Sequence, residues 1–297
     1  ADVLLGHETV ADCLVSDGHL GEAVGRNANR IGGAQFELNG KTYHLTGNDN
    51  GNNLHSGMDF YNIRIWETEE VTETSVRFKL HSPDGDQGYP GTADIYVTYS
   101  LDKDDKLDIF YEALSDKDTI LNMTNHSYFN LDGHNSGSVL QHTLTLEADY
   151  FTPGDAQSIP TGEILPVENT PMDFREGRKI GERIEEEYEP LRFGNGYDHN
   201  WVLKNKGNFE KVAELMAEES GIVMETYTDR PGMQIYTANF VENEVGKEGV
   251  VYGKRSAVCL ETQCYPDAVH HENFPSPVYR AGEKYTAHTA FRFLIKK

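Results

Sequence analysis

Apolar side chains recur at every second position through much of the chain, the period of a strand that turns one face to a core. Val76, Phe78 and Leu80 alternate in this way, as do Ile95, Val97, Tyr99 and Leu101 and, past a polar turn over 102–105, Leu107, Ile109 and Tyr111. Short polar turns between such runs predict an antiparallel meander. Between Phe36 and Leu45 an Asn39-Gly40 dipeptide separates two alternating runs. That pattern predicts a two-residue hairpin with Phe36, Leu38, Tyr43 and Leu45 on one face. Residues 212–218 are rich in helix formers, yet Ser220-Gly221 followed by Ile222 to Tyr227 reads as a hairpin, so the segment is assigned to strand. One stretch has helical spacing: Ile180, Ile184 and Tyr188 within Arg178–Tyr188, beside the acidic run Glu185–Glu187. The predicted fold is all-β, with few short helices.

Two segments depart from simple alternation. Ala257–Gln263 reads as a buried strand with a carboxylate, Glu261, inside it. Burying an unpaired charge costs several kcal/mol or forces a raised pKa. Glu261 is therefore either half of a structural ion pair or a tuned catalytic group. From Leu121 to Leu131, counting by twos places Asn122, Thr124, His126, Tyr128 and Asn130 on one face. Neutral hydrogen-bonding groups with an aromatic are the lining of a sugar or amide site, while the plainer reading is an ordinary strand with a structural histidine. If His126 and Glu261 meet, ordinary pKa values near 6.5 and 4.3 suit them to proton transfer close to neutrality.

Composition narrows the choice. The 297 residues carry a net charge of −23 and a pI near 4.8. That balance argues against nucleic acid, whose phosphates need clustered Lys and Arg, and disfavours phosphorylated substrates. No apolar run approaches the ~18 residues of a membrane span. Cys13, Cys259 and Cys264 cannot pair completely and read as reduced core thiols, so a cytoplasmic setting without a signal peptide is expected. Asp84–Gly88 begins like a calcium loop, but lacks a third acidic ligand and has Ile95 where the bidentate Glu belongs, so it is assigned to a turn. His270, His271 and Glu272 are adjacent, and neighbours on a strand face opposite ways, which counts against a metal. Gly133–Gly137 has the wrong spacing for a nucleophile elbow, and no phosphate-cradling glycine loop is present.

The runs GRNANRI (25–31), NNLHSG (52–57), DGDQGYPG (84–91), TNHSYFNL (124–131), YDHN (197–200), PGMQIYTAN (231–239) and LETQCYPDAVH (260–270) together resemble those of the aldose 1-epimerase, or galactose mutarotase, family. The resemblance implies a large antiparallel β-sandwich with an open sugar-binding cleft, no cofactor and no metal. It implies that Glu261 is the general base on the anomeric hydroxyl and His126 the general acid on the ring oxygen. His55 corresponds to a second histidine at the reacting end, and Arg30, Asp198 and Gln234 match residues that hold the sugar hydroxyls. Ser56 stands where a glycine is usual. The opening run Ala1–Gly6 resembles one that follows several N-terminal strands in the family, so a single domain over 1–297 lacking those strands is expected. The function so implied is interconversion of the α and β anomers of free aldohexoses, galactose and glucose. The alternatives on the same fold are a hexose-6-phosphate 1-epimerase, which needs further cations at the cleft, and a non-catalytic sugar-binding protein.

Overall fold

Most of the alternating runs assemble into two large antiparallel sheets in the computed structural model of the chain, which describes every residue except Val15, Asp17 and Lys297. The larger sheet has nine strands in the spatial order Arg178–Lys179, Thr143–Leu146, Glu210–Met216, Ile222–Thr228, Lys284–Ile295, Lys106–Ser115, Ala93–Leu101, Ser75–Ser82 and Glu67–Val71. The second has six: Tyr128–Phe129, Val258–Gln263, Gly232–Tyr236, Asp198–Leu203, Ala148–Thr152 and Leu165–Pro166. Ile95, Ile109, Tyr111 and Phe291 of the nine-stranded sheet share one buried cluster with Phe151, Trp201, Met233, Ile235 and Leu260 of the six-stranded sheet. The core therefore lies between the sheets, as in a β-sandwich. Residues 210–216 and 222–228 pair as the expected hairpin, Leu215 opposite Met224. Among the described residues no helix is long and apolar enough to cross a membrane.

The Asn39-Gly40 hairpin forms with both turn residues left-handed, at φ 54° and 73°, the condition that this dipeptide meets. Phe36 stacks on Tyr43 across it, with ring centroids 5.3 Å apart. Leu101 is the exception among the alternating positions. It lies at the strand end, opposite Leu107, and is 56% exposed.

The spacing over 178–188 does not give the expected helix. Arg178–Lys179 is an edge strand, Ile180–Glu182 a single 3₁₀ turn, and the α-helix begins only at Glu189 and runs to Phe193. Ile180 and Ile184 are buried as the periodicity requires, but the backbone finds other partners. Ile180 N–H donates to His142 O and Gly181 N–H to Leu140 O. Arg183 donates to Glu186 and to the Thr170 carbonyl, so tertiary bonds replace the i→i−4 ladder. Pro190 in the first turn sets where the helix can start.

The first residues extend the six-stranded sheet. Leu5 N–H donates to Tyr128 O, and Asn130 N–H to Val3 O. The far edge of the nine-stranded sheet, Glu67–Val71, is exposed throughout and carries Glu67, Glu69 and Glu70, charges that discourage pairing with another edge.

Candidate active site

Alternation gives the six-stranded sheet two unlike faces. Leu260, Ile235, Met233 and Trp201 face the core. On the opposite face, Glu261 stands across from Gln234, and Gln234 from Asn200. Cys259, Tyr236 and Asp198 form the next row in register. This face floors a cleft of about 820 Å³ whose walls include Arg30, His55, His126, Tyr128, Asp198, Tyr236 and Glu261. Gln234 does not line it. It borders a small adjoining hollow and donates Nε2–H to Asp198 Oδ1 at 2.7 Å.

His126 does not belong to one continuous strand over Leu121–Leu131. Thr124–His126 pairs with Glu22–Val24, Tyr128–Phe129 pairs with the Glu261 strand, and Ser127 breaks the run between them. Both sets of alternating positions are buried, Met123 as deeply as Thr124, because the segment bridges two partners instead of lying on a surface. The crossover delivers His126 to the mouth of the six-stranded sheet. Its Nε2 lies 3.6 Å from Glu261 Oε1, its ring stacks on Tyr128 at 4.9 Å, and its Nδ1 is 3.5 Å from the Cys259 thiol.

The environment moves both groups off their ordinary pKa values. Burial raises that of Glu261 well above the carboxylate range; Asp198 reinforces the shift and Arg30 opposes it. Burial, then nearby His19, drives that of His126 down to about 3. Burial thus favours the uncharged form of each group, carboxylic acid and neutral imidazole. Among the described residues Glu261 Oε2 has no hydrogen-bond partner.

His55 sits in a left-handed turn with Ser56, φ 51° and 70°. Its Nδ1 accepts the Asn29 N–H at 3.1 Å, and its own N–H donates to Asn29 O. The imidazole proton therefore resides on Nε2, and burial, with His19, His126 and Arg30 nearby, keeps the ring neutral. His55 is a fixed hydrogen-bond donor. The φ at 56 explains why glycine suits that position. Ser56 is held there by its Oγ, which accepts the Asn27 N–H at 2.8 Å and donates to Asn27 O at 3.0 Å.

His55, His126 and Glu261 are also the residues whose geometry most resembles a metal site, with potential ligand atoms within 4.8 Å of one another. Their chemistry does not fit one. A metal-binding imidazole turns its remote N–H toward an acceptor, whereas the remote nitrogen of His55 faces a backbone donor, leaving no lone pair for a cation.

Arg30 lies in a short strand opposite Leu54 and donates Nε–H to Asp49 at 2.7 Å. Cys13 is exposed, not a core thiol; Cys259 and Cys264 are buried, and all three are free. His270 and His271 occupy a 3₁₀ turn and its exit, not a strand, and both turn to Asp267, at 2.6 and 3.4 Å. The Asp84–Gly88 run is a turn in which Asp86 pairs with Arg64. Two wall residues, His19 and Tyr236, were not singled out from the sequence. Tyr236 lies in a strand buried along its whole length, and His19 stands in a polar loop without periodicity.

The aldose 1-epimerase family model matches residues 1–292. The chain is 40% identical over 296 residues to galactose mutarotase of Homo sapiens, spanning 99% of this chain and 84% of that protein. It is 39% identical over 296 residues to aldose 1-epimerase of Haemophilus influenzae, with 98% and 85% covered. A solved aldose epimerase homologue from C. elegans superposes with a TM-score of 0.92 at 31% identity, over 100% of this chain and 89% of that one. Galactose 1-epimerase from Lactobacillus acidophilus does so at 0.87 and 27%, over 99% and 86%. The chain belongs to the aldose 1-epimerase family.

Proposed function

We propose that this protein interconverts the α and β anomers of free aldohexoses, galactose and glucose, with Glu261 as general base and His126 as general acid. The observation that carries the reading is the buried pair itself, an imidazole 3.6 Å from a carboxyl oxygen across the end of a sugar-sized cleft. Opening a hemiacetal ring removes a proton from O1 and places one on O5 while the C1–O5 bond breaks and the C1=O bond forms. Starting from carboxylate and imidazolium, that step ends at carboxylic acid and neutral imidazole. The pair carries the same number of protons in both states, so the step needs no proton exchange with solvent. Rotation about C1–C2 then presents the other carbonyl face, and as the ring closes Glu261 returns its proton to O1 while His126 takes back the proton on O5.

The surrounding residues fit a neutral polyol. His55 Nε2–H serves as a fixed donor at the reacting end, and Arg30 and Asp198 hold hydroxyls, with Gln234 acting through its bond to Asp198. Among the described residues Arg30 is the one Lys or Arg on the cleft wall, and Asp49 already pairs with it. A phosphorylated hexose is therefore poorly served. Simple sugar binding does not call for a titratable pair whose pKa values burial displaces in opposite directions. We further read residues 1–297 as one domain, because a single apolar cluster joins both sheets. A cytoplasmic setting is supported by two buried free thiols.

The test is polarimetry on freshly dissolved α-D-galactose and α-D-glucose. Equilibration well above the buffer rate is expected, and a rate equal to the buffer blank would refute the proposal.

A further inference from the structure

A third imidazole stands on the cleft wall, outside the machinery described so far. His19 lines the cleft beside His55 and His126, with ring centroids 5.1 and 6.0 Å away. Its Nδ1 is 2.6 Å from Glu22 Oε2, and the other oxygen of Glu22 accepts from the Asn62 side-chain amide. Both carboxylate oxygens are thus occupied, and Glu22 fixes the ring through Nδ1. Among the described residues nothing else bonds to the ring, which leaves Nε2 as its one uncommitted polar atom. The dyad is fixed in place by the fold. Glu22 is the register partner of His126, and Gly21 N–H donates to His126 O at 3.0 Å. Phe60 meets the His19 ring edge-on at 5.0 Å. A solvated surface histidine has no use for a two-point carboxylate backing and an aromatic buttress, and its side chain is only 19% exposed.

We propose that His19, oriented by Glu22, is a further sugar-contacting residue whose Nε2 bonds a hydroxyl of the bound aldose on the side of the cleft shared by His55 and His126. This rests on the aldose 1-epimerase reading above. Polarimetric kinetics on α-D-galactose test it with His19→Asn, Glu22→Gln and the double variant. Asparagine tolerates the left-handed backbone at residue 19, φ 56°, but is too short to reach the position of Nε2. KM should rise about tenfold in His19→Asn, the scale of one lost hydrogen bond at an ordered site, with kcat falling less steeply. Glu22→Gln should raise KM by a smaller factor. The double variant should be no worse than His19→Asn alone, because the carboxylate acts through the imidazole. A calorimetric Kd for galactose on Glu22→Gln reads the same contact in a chain whose residue 19 is untouched, and should weaken likewise. Unchanged KM in His19→Asn, unchanged Kd in Glu22→Gln, or additive losses in the double variant would overturn the inference while leaving the epimerase reading intact. An inactive wild-type chain would overturn both.

Discussion

Two buried charged residues in this protein are treated in opposite ways. Arg26 is fully buried, and its guanidinium is saturated: it donates to the carbonyls of Ser82, Pro83 and Pro90 and to the hydroxyls of Ser82 and Thr119. Glu261 is 2% exposed, yet one oxygen has no partner and the other faces an imidazole 3.6 Å away. Arg26 ties the Gly25–Asn27 segment to the loop after Ser82, and its hydrogen bonds repay the cost of burial. Glu261 has no such set of protein partners, and burial, reinforced by Asp198, raises its pKa. A saturated charge serves the fold, whereas a buried carboxyl with a displaced pKa on a cleft wall is a candidate for chemistry.

The contrast breaks most visibly through stability. Replacing Arg26 by Met takes the guanidinium donors from the buried Ser82 and Pro90 carbonyls and the Thr119 hydroxyl, each worth about 1–3 kcal/mol, so urea unfolding should show a loss of roughly 3 kcal/mol or more. Catalysis per folded molecule should fall far less than in a cleft variant. A loss under about 1 kcal/mol would remove the structural half of the comparison.

Next in size are changes at the reactive pair. His126→Ala should slow galactose equilibration by about 10² at saturating sugar, the usual effect of a positioned acid. Glu261→Gln should melt at a higher temperature than the wild type, because the amide carries no charge to desolvate. The sign follows from linkage. A carboxyl whose folded pKa is raised keeps its full contribution to stability below its ordinary value of 4.5 and loses it as pH rises through the folded value. The advantage of Gln should therefore be absent in acid and widen toward alkaline pH in thermal melts. A margin that shrinks as pH rises would contradict this.

The pH profile sharpens the comparison further. Carboxylate with imidazolium and carboxylic acid with neutral imidazole contain the same number of protons, so the pair titrates as a unit. With His126 held down to about 3 and Glu261 raised, kcat/KM should hold its plateau down to about pH 4. Independent groups at ordinary values would instead make it fall as the carboxylate protonates near 4.3. Asp198, Arg30, His19 and His55 face the pair and set its limits. The smallest effect belongs to Ser56→Gly. It relieves a left-handed residue worth about 1–2 kcal/mol and loses two hydrogen bonds of about 1 kcal/mol each. Stability should change by less than about 1 kcal/mol, and the rate by less than twofold.

Much of this was legible from residues alone, for identifiable reasons. The Asn39-Gly40 turn and the strand around Glu261 are local: dihedral preference and a run of apolar residues decide them. The helix expected over 178–188 failed because tertiary bonds from His142 and Leu140 claimed the backbone, and periodicity cannot register such competitors. Pairing of His126 with Glu261 was an idea that only the crossover at Ser127 turns into geometry. Ordinary pKa values were assigned to both, whereas burial, a tertiary quantity, moves them in opposite directions. Nothing in the sequence marks His19, because its partner Glu22 gains meaning only through a strand register that sets it against His126.

The most direct measurement compares the wild type with Glu261→Gln by polarimetry on α-D-galactose at saturating sugar and pH 7. The account requires the variant to remain folded, to melt no lower than the wild type and to lose a factor of about 10² or more in kcat. A folded Glu261→Gln protein that equilibrates the anomers at close to the wild-type rate would contradict it.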